Sequence, residues 1–503
     1  MVIADTGEVL TYRALDEGSN RFAQLLRAAG VRPGDRVAVM LRNGVEFPQV
    51  YWGATRCGAF VTLLSTHLKP EEAAYIVNDC GARALVLSAD IGETPRALAG
   101  RRAELVPAVE RAWFAGDAAV DGAEPLAAAM AAMPAERVEG EISGFHMYYS
   151  SGTTGRPKGI VLPFTPGPID AFNALEGNMP AYAAKPLVSL NVGPLYHGAP
   201  LSAMICTQRH GGTFVTQRKF DAEGVLAAIA RYRVSVAQFV PTMFVRMLAL
   251  PEDVRAKYDL SSLTLAIHAA APCPVEIKRR MIDWWGPIIF EYYGSTEGVG
   301  ATAITAEEWL RKPGSVGRTS LGPIHICDEA GNELPPGEEG LIWFEALPGR
   351  GIEYLNDPAK TRGATHPVHG NWFAVGDIGR LDEDGYLFLT DRKDFMIISG
   401  GVNIYPQAIE DCLIVHPGVL DVAVIGIANA DYGEEVRAIV QPKDWGDAGP
   451  GLEAELRAWV AERISKVTWP RSYLFVRELP RLPSGKLAKH ELRKLYGNAV
   501  AVI

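Results

Sequence analysis

Apolar residues recur at helical spacing through LTYRALDEGSNRFAQLLRAAG, residues 10–30, and the run stops on Gly30. That is the pattern of an amphipathic helix with a glycine stop. VRPGDRVAVML follows with a turn at Pro33-Gly34-Asp35 and a short β-branched run, Val37–Leu41. PEEAAYIVNDCG repeats the helix-to-glycine pattern, and ALVLSAD reads as the next short strand. Strands alternating with helices predict a mostly parallel sheet covered on both faces. Residues 115–140 are Ala-rich with few β-formers and predict a helix with loose flanks. The alternation resumes in HMYYSSG, LVSLNVGP, VSVAQFVP and LTLAIHAAAP. Each of these runs ends in small residues, Gly or Pro, and in α/β sheets such strand ends are where ligands bind.

The pattern changes near residue 310. LGPIHICDEAGNELPPGEEGLIWFE reads strand, Gly/Pro turn, strand, as antiparallel sheet does. WFAVGDIGRLDEDGYLFLTDRKD repeats it, with Asp384-Gly385 as the hairpin turn. From Phe395 onward MIISGG precedes a helix at Tyr405–His416, two apolar strand runs, a helix from about Leu452 to Ser465 and a last helix from Lys489. The tail is therefore a small α+β unit of its own. No internal repeat or low-complexity tract is visible.

Single cores stop growing near roughly 250–300 residues, so a chain of 503 residues implies more than one domain. A hydrophobic fraction of 48% and a charged fraction of 21% place it among folded globular proteins. The net charge of −10 excludes a broad nucleic-acid surface but not a local pocket for an anionic ligand. Cys57, Cys80, Cys206, Cys273, Cys327 and Cys412 are scattered, with no CxxC pair. They suit neither zinc nor a disulfide framework, and read as buried reduced thiols. No stretch approaches the ~20 apolar residues of a membrane span. MVIADTGEVLTY lacks the basic-then-apolar form of a signal peptide, so the cytoplasm is the expected location.

Candidate chemistry sharpens the picture at SSGTTGRPKG, residues 150–159, which leaves the apolar run FHMYY. Gly152 and Gly155 let the backbone turn tightly and bring N–H groups close to a ligand. Ser150, Ser151, Thr153 and Thr154 add hydroxyl donors, and Arg156 and Lys158 add positive charge. The combination suits polyphosphate oxygens. It is not the G-x-x-x-x-G-K-[ST] loop, because Gly159 follows Lys158 and the spacing differs.

This loop resembles the core signature of the adenylate-forming superfamily: acyl-CoA synthetases, peptide-synthetase adenylation domains and beetle luciferases. Further signatures stand in the family's order: PLYHG at 194–198, YYGSTEG at 292–298, WFAVGD at 372–377, DRKDFMIISGGVNIYP at 391–406 and LPSGK at 482–486. The resemblance runs from about Leu10 to the last helix. It implies a large N-terminal adenylation domain, residues 1–391, of parallel sheets covered by helices plus a β-rich subdomain. A hinge at 392–394 then joins it to a mobile α+β C-terminal domain, 395–503, which turns about Asp394. It also implies ATP, Mg²⁺ and coenzyme A.

By the same resemblance, Ser150, Ser151, Gly152, Thr153, Thr154, Gly155 and Lys158 bind phosphate. Ala270, Ala271, Pro272, Glu291, Tyr292, Tyr293 and Gly294 surround the nucleotide, with Tyr293 stacked on adenine. Thr296 acts on phosphate and Glu297 holds magnesium, a hard ion that needs few protein carboxylates. Asp377 offers two acceptor oxygens to the ribose hydroxyls, and Arg392 reaches ribose or phosphate. Lys486 neutralises charge developing during adenylation. Ser399, Gly400 and Gly401 line the coenzyme A tunnel. Tyr196, His197, Gly198, Thr242, His268 and Ala269 form the acyl pocket, with His197 as its gate and a catalytic candidate.

Amino-acid-activating members carry an aspartate shortly after the PLYHG region, whereas GAPLSAMICTQRHGG has no acidic residue. A buried unpaired ammonium is costly, so an acid without an α-amine is expected. Three alanines in HAAAP leave room for a medium- or long-chain or ring-bearing carboxylate. Three features depart from the family pattern: a short N-terminus, Glu291 where an amide side chain is common, and Val375 in place of a hydroxyl residue. The reading is an ATP-dependent acyl-CoA ligase of lipid or fatty-acid metabolism. The alternative is an acyl-AMP ligase that loads a separate carrier protein, with no carrier domain seen after PSGK. A luciferase-like use of the adenylate and an inactive nucleotide-binding protein are weaker readings, the latter opposed by retention of Lys158, Glu297, Asp377, Arg392 and Lys486. A homodimer is left open.

Overall fold

The computed structural model describes residues 1–150, 157–171, 182, 186–429, 431–481 and 486–497. The first predicted helix forms as Tyr12–Ala28, with the Thr11 hydroxyl accepting from the Ala14 N–H at 3.1 Å. Gly30 closes it at φ +82°, a conformation that favours glycine. It crosses helix Glu46–Arg56 closely, because a Cβ on Gly53 would lie 2.7 Å from the Ser19 carbonyl oxygen. Phe22 from the first helix is fully buried and meets Trp113 edge-on, with ring centroids 6.1 Å apart. Burying a side chain of that size is worth about 1.5–3 kcal/mol.

These helices cover a sheet of 7 strands among the described residues. Its parallel strands Arg111–Ala115, Ala84–Ser88, Arg36–Met40, Phe60–Leu63 and His146–Ser150 are nearly all buried, as strands covered on both faces must be. The Ala-rich stretch forms the expected helix with loose flanks. The helix is short, Leu126–Ala131, and follows the edge strand Glu124–Pro125. Just two of its residues, Leu126 and Met130, are buried, too few to hold a longer helix against the sheet.

A second sheet, of 13 strands among the described residues, joins two kinds of pairing. One half is parallel: Val2–Ile3, Thr213–Thr216, Val188–Asn191, Val236–Phe239, Leu265–His268 and Ile289–Gly294. From Ala301–Thr305 onward it is antiparallel, and Asp377–Leu381 pairs with Leu387–Arg392 across the predicted turn, where Gly385 has φ +77°. A third sheet, of 5 strands among the described residues, follows, with Val419–Asn429 and Gly433–Pro442 as its long pair. Its helices run Pro406–Ile414 and Pro450–Ala461, each opened by a proline in the first turn rather than where hydrophobic spacing alone put the start. Within this sheet Gly400 (φ +58°) and Gly401 (φ +81°) form the two-residue turn between Ile397–Ser399 and Val402–Ile404. The fold is thus mixed α/β, with a parallel-rich core, a β-rich extension and a smaller α+β part.

Candidate active site

The site is built where strand ends meet. Ile289–Gly294 runs next to Leu265–His268 in the parallel half, and the antiparallel ladder carries the sheet on to Asp377. Cα register sets Asp377 opposite Arg392, and the Arg392 Nε forms an ion pair with Asp377 Oδ1 at 3.0 Å. The Tyr293 hydroxyl donates to the other oxygen, Oδ2, at 2.6 Å. Asp377 is buried, and both its oxygens are engaged, but each keeps a second lone pair for a further donor. Burial and then Asp377 push the Tyr293 phenol well above its ordinary pKa, so it stays a proton donor.

Glu297 lies in the turn after the same strand and accepts a hydrogen bond from the Tyr354 hydroxyl at 3.0 Å. The Tyr354 ring lies under Lys158, whose Nζ is 5.2 Å from its centroid. Lys158 Nζ is within electrostatic reach of the Lys360 ammonium, of Glu297 and of Asp394. Two ammonium ions ~4 Å apart repel by about 1 kcal/mol in water and about 4 kcal/mol at an effective dielectric near 20. Burial first, then Lys360, lower the Lys158 pKa to about 8.

Lys486 comes from the far end of the chain. Burial and then Arg392 lower its pKa to about 8, while Asp377 and Glu297 pull it back up. Lys486 is exposed and the Arg392 side chain is 39% exposed, although protein atoms surround both. Burial works against the Arg392 charge, and Asp377, Tyr293, Glu297 and Asp394 together outweigh it. His197 faces the same charges. Its pKa falls to about 4 through burial, with Lys486 and His67 adding to the shift, so it is neutral near pH 7. Its Nε2 is buried without a hydrogen-bond partner among the described residues, as is Ser295 Oγ.

The structure brings Lys158, Tyr293, Glu297, Asp377, Arg392, Lys486 and His197 together; Gly294 and Thr296 sit exposed between Tyr293 and Glu297. Ser150 ends its strand as the Cα partner of Lys158, whereas Ser151, Gly152, Thr153, Thr154 and Gly155 lie outside the described residues. Ala269 is buried, and Ala270 takes φ +77°, a strained conformation for a residue with a Cβ, just before Ala271 and Pro272. Tyr196 packs at 4.7 Å from the His197 ring, and a Cβ on Gly198 would lie 3.6 Å from Tyr148. Thr242 is half-buried at the start of helix Pro241–Leu248, and the Tyr292 hydroxyl accepts from Gln238 Nε2 at 2.9 Å. Asp394 is exposed, in a short 3-10 turn, and Ser399, Gly400 and Gly401 belong to the hairpin already described.

Glu291 and His268 stand apart from this set. The Lys278 ammonium donates to Glu291 Oε2 at 2.5 Å, and His268 Nε2 is 3.6 Å from the same oxygen, all three side chains being buried. Burial raises the Glu291 pKa while Lys278 opposes the rise. Sequence reasoning did not identify Tyr354, Lys360 or Lys278. An aromatic residue just before the helix-opening NDP was the one available signal for Tyr354; nothing in the pattern marked the two lysines.

Glu297 is a lone carboxylate, and among the described residues no group of three or more His, Cys, Asp or Glu could hold a metal. A single carboxylate near the Lys158 ammonium fits Mg²⁺, which takes few protein carboxylates and fills its shell mainly with phosphate and water. Among the described residues no helix is long and apolar enough to cross a membrane.

Residues 1–347 match the AMP-binding enzyme family, and residues 408–486 match the AMP-binding enzyme C-terminal domain. A feruloyl-CoA synthase of Amycolatopsis is 34% identical, covering 98% of this chain and 95% of the relative. A long-chain-fatty-acid–CoA ligase of Mycobacterium tuberculosis is 32% identical, covering 98% and 94%. A solved anthranilate CoA ligase in complex with anthranoyl-AMP superposes with a TM-score of 0.80 at 26% identity, covering 97% of this chain and 92% of that one.

Proposed function

The chain belongs to the AMP-binding enzyme family, as an AMP-forming acyl-CoA synthetase, and from that premise we propose how its cleft works and on what. A carboxylate oxygen attacks the α-phosphorus of ATP, a P–O bond forms, and the bond to the bridging oxygen breaks as pyrophosphate leaves. The thiol of coenzyme A then attacks the acyl carbon, loses its proton, and expels AMP. The observation that carries this reading is Lys486 facing Arg392, Asp377 and Glu297 in one cleft.

Lys486 spreads positive charge over the carboxylate and α-phosphate oxygens as they approach. Lys158 and the loop before it hold the β- and γ-phosphates. Asp377 receives the ribose hydroxyls, and Tyr293, held by Asp377, presents its ring to adenine. Glu297, oriented by Tyr354, would hold Mg²⁺, which would neutralise phosphate charge. Neutral His197 gates the acyl side. Residues 1–391 act as the adenylation domain, and residues 395–503 turn about 392–394 so that Gly400 and Gly401 can meet coenzyme A.

The acid is a medium- or long-chain or ring-bearing carboxylate without an α-amine. Residues 198–212 supply no carboxylate to pair an ammonium, and Tyr148, Tyr196 and His197 give the nearby wall aromatic faces. The test combines a panel of acids, assayed for AMP release with coenzyme A, and Lys486→Ala. The variant should lose adenylation by about 10²–10³-fold, yet form thioester from supplied acyl-adenylate at the wild-type rate. Equal loss of both half-reactions refutes the role of Lys486, and a strong response to amino acids refutes the substrate class.

A further inference from the structure

Lys360 has no part in the roles set out above. It lies in NDPAKTRG, on the short helix Pro358–Gly363, and nothing in its sequence context marks it as a ligand-binding residue. Its position is fixed by backbone pairing. Val161 N–H donates to the Glu353 carbonyl at 3.0 Å, and Leu355 N–H donates to the Gly159 carbonyl at 2.8 Å. The chain that leads into the helix therefore runs alongside Lys158–Ile160, with Ile160 bridged to Tyr354.

The first helical turn is held from both ends. Asp357 Oδ1 accepts from the Lys360 N–H at 2.9 Å, and Thr361 Oγ1 accepts from the Tyr354 N–H at 3.0 Å. Tyr354 in turn donates to Glu297, so one residue ties this helix to the expected magnesium ligand. The result is a half-buried Lys360 beside the strand that carries Lys158, with its ammonium within electrostatic reach of the Lys158 ammonium. Among the described residues neither lysine has a carboxylate within 4.0 Å.

Two neighbouring cations without a paired carboxylate repel one another, and the repulsion is relieved when an anion with several oxygens bridges them. The terminal phosphates of ATP, and the pyrophosphate they become, are such an anion. The α-phosphate side of the cleft already has Lys486 and Arg392. We propose that Lys360 is a second phosphate-binding lysine that grips, with Lys158, the pyrophosphate end of ATP; the proposal rests on reading Lys158 as a phosphate ligand. Lys360 thereby shares the charge of the leaving group, which is why Lys158 tolerates a like-charged neighbour.

The test is ATP–pyrophosphate exchange with an acid the wild type activates, comparing wild type, Lys360→Met and Lys360→Arg. Lys360→Met should raise the KM for pyrophosphate about tenfold, the weight of one charge-assisted contact. Thioester formation from supplied acyl-adenylate, which involves no pyrophosphate, should stay within about twofold, and Lys360→Arg should restore most of the exchange. An unchanged KM for pyrophosphate overturns the proposal, as does an equal loss in both half-reactions. Pyrophosphate-induced stabilisation gives a readout free of turnover: inorganic pyrophosphate should raise the Tm of the wild type and of Lys360→Arg more than that of Lys360→Met, and equal shifts overturn the proposal. Failure of the wild type to exchange with any acid of the panel would instead refute the ATP reading, and this proposal with it.

Discussion

If Lys486 and Lys158 act as cations, raising the pH should switch off adenylation through a limb centred near neutrality rather than near 10. Both lysines are lowered to about 8, by burial first and by a neighbouring cation second. The charged form is the one that works, so activity is present below that value and lost above it. With a pKa of about 8, a lysine is roughly 90% charged at pH 7 and roughly 10% charged at pH 9, a tenfold loss. Two such groups give a loss of about a hundredfold in kcat/KM for ATP, which reports the free enzyme. Pyrophosphate release measured from pH 6.5 to 9.5 reads this directly. The second half-reaction, started from supplied acyl-adenylate, is the internal control, because thiolate supply rises with pH and sends it the other way. The Arg392 guanidinium stays charged across this range and adds no limb of its own. A flat profile for kcat/KM between pH 7 and 9, or a fall that starts only above pH 10, would refute the reasoning.

Lys278→Met strands Glu291 in a buried site, which costs about 3–5 kcal/mol and should lower Tm by several degrees. Adding Glu291→Gln should recover most of that loss, and additive losses in the double variant would show that the pair is not coupled. Tyr354→Phe removes the donor that orients Glu297. It should raise the KM for MgATP about three- to tenfold while leaving Tm nearly unchanged, and an unaltered KM at every magnesium concentration would count against it.

Much of the site was legible because its parts are local. Asp384-Gly385 announces a turn by its own backbone freedom, and the structure places a turn there. HMYYSSG and LTLAIHAAAP could be read as strand ends because an apolar run breaks into small residues. The Ala-rich stretch holds the expected helix, but only over Leu126–Ala131. Helix propensity is intrinsic, but helix length is set by how many side chains the sheet can bury, and Leu126 and Met130 are only two.

Sequence by itself determined which segments are helix, strand and turn, and which residue types stand at the strand ends. Those properties depend on neighbours a few positions away. Tertiary structure alone decided that Lys486 would face Asp377, that Tyr354 would hold Glu297, and that Lys360 would meet Lys158. It also decided that Glu291 would turn to a buried Lys278. These are meetings between residues far apart in the chain or on different elements. Their charges interact strongly only because the sheets bring them together where water is scarce, and no local pattern encodes that distance.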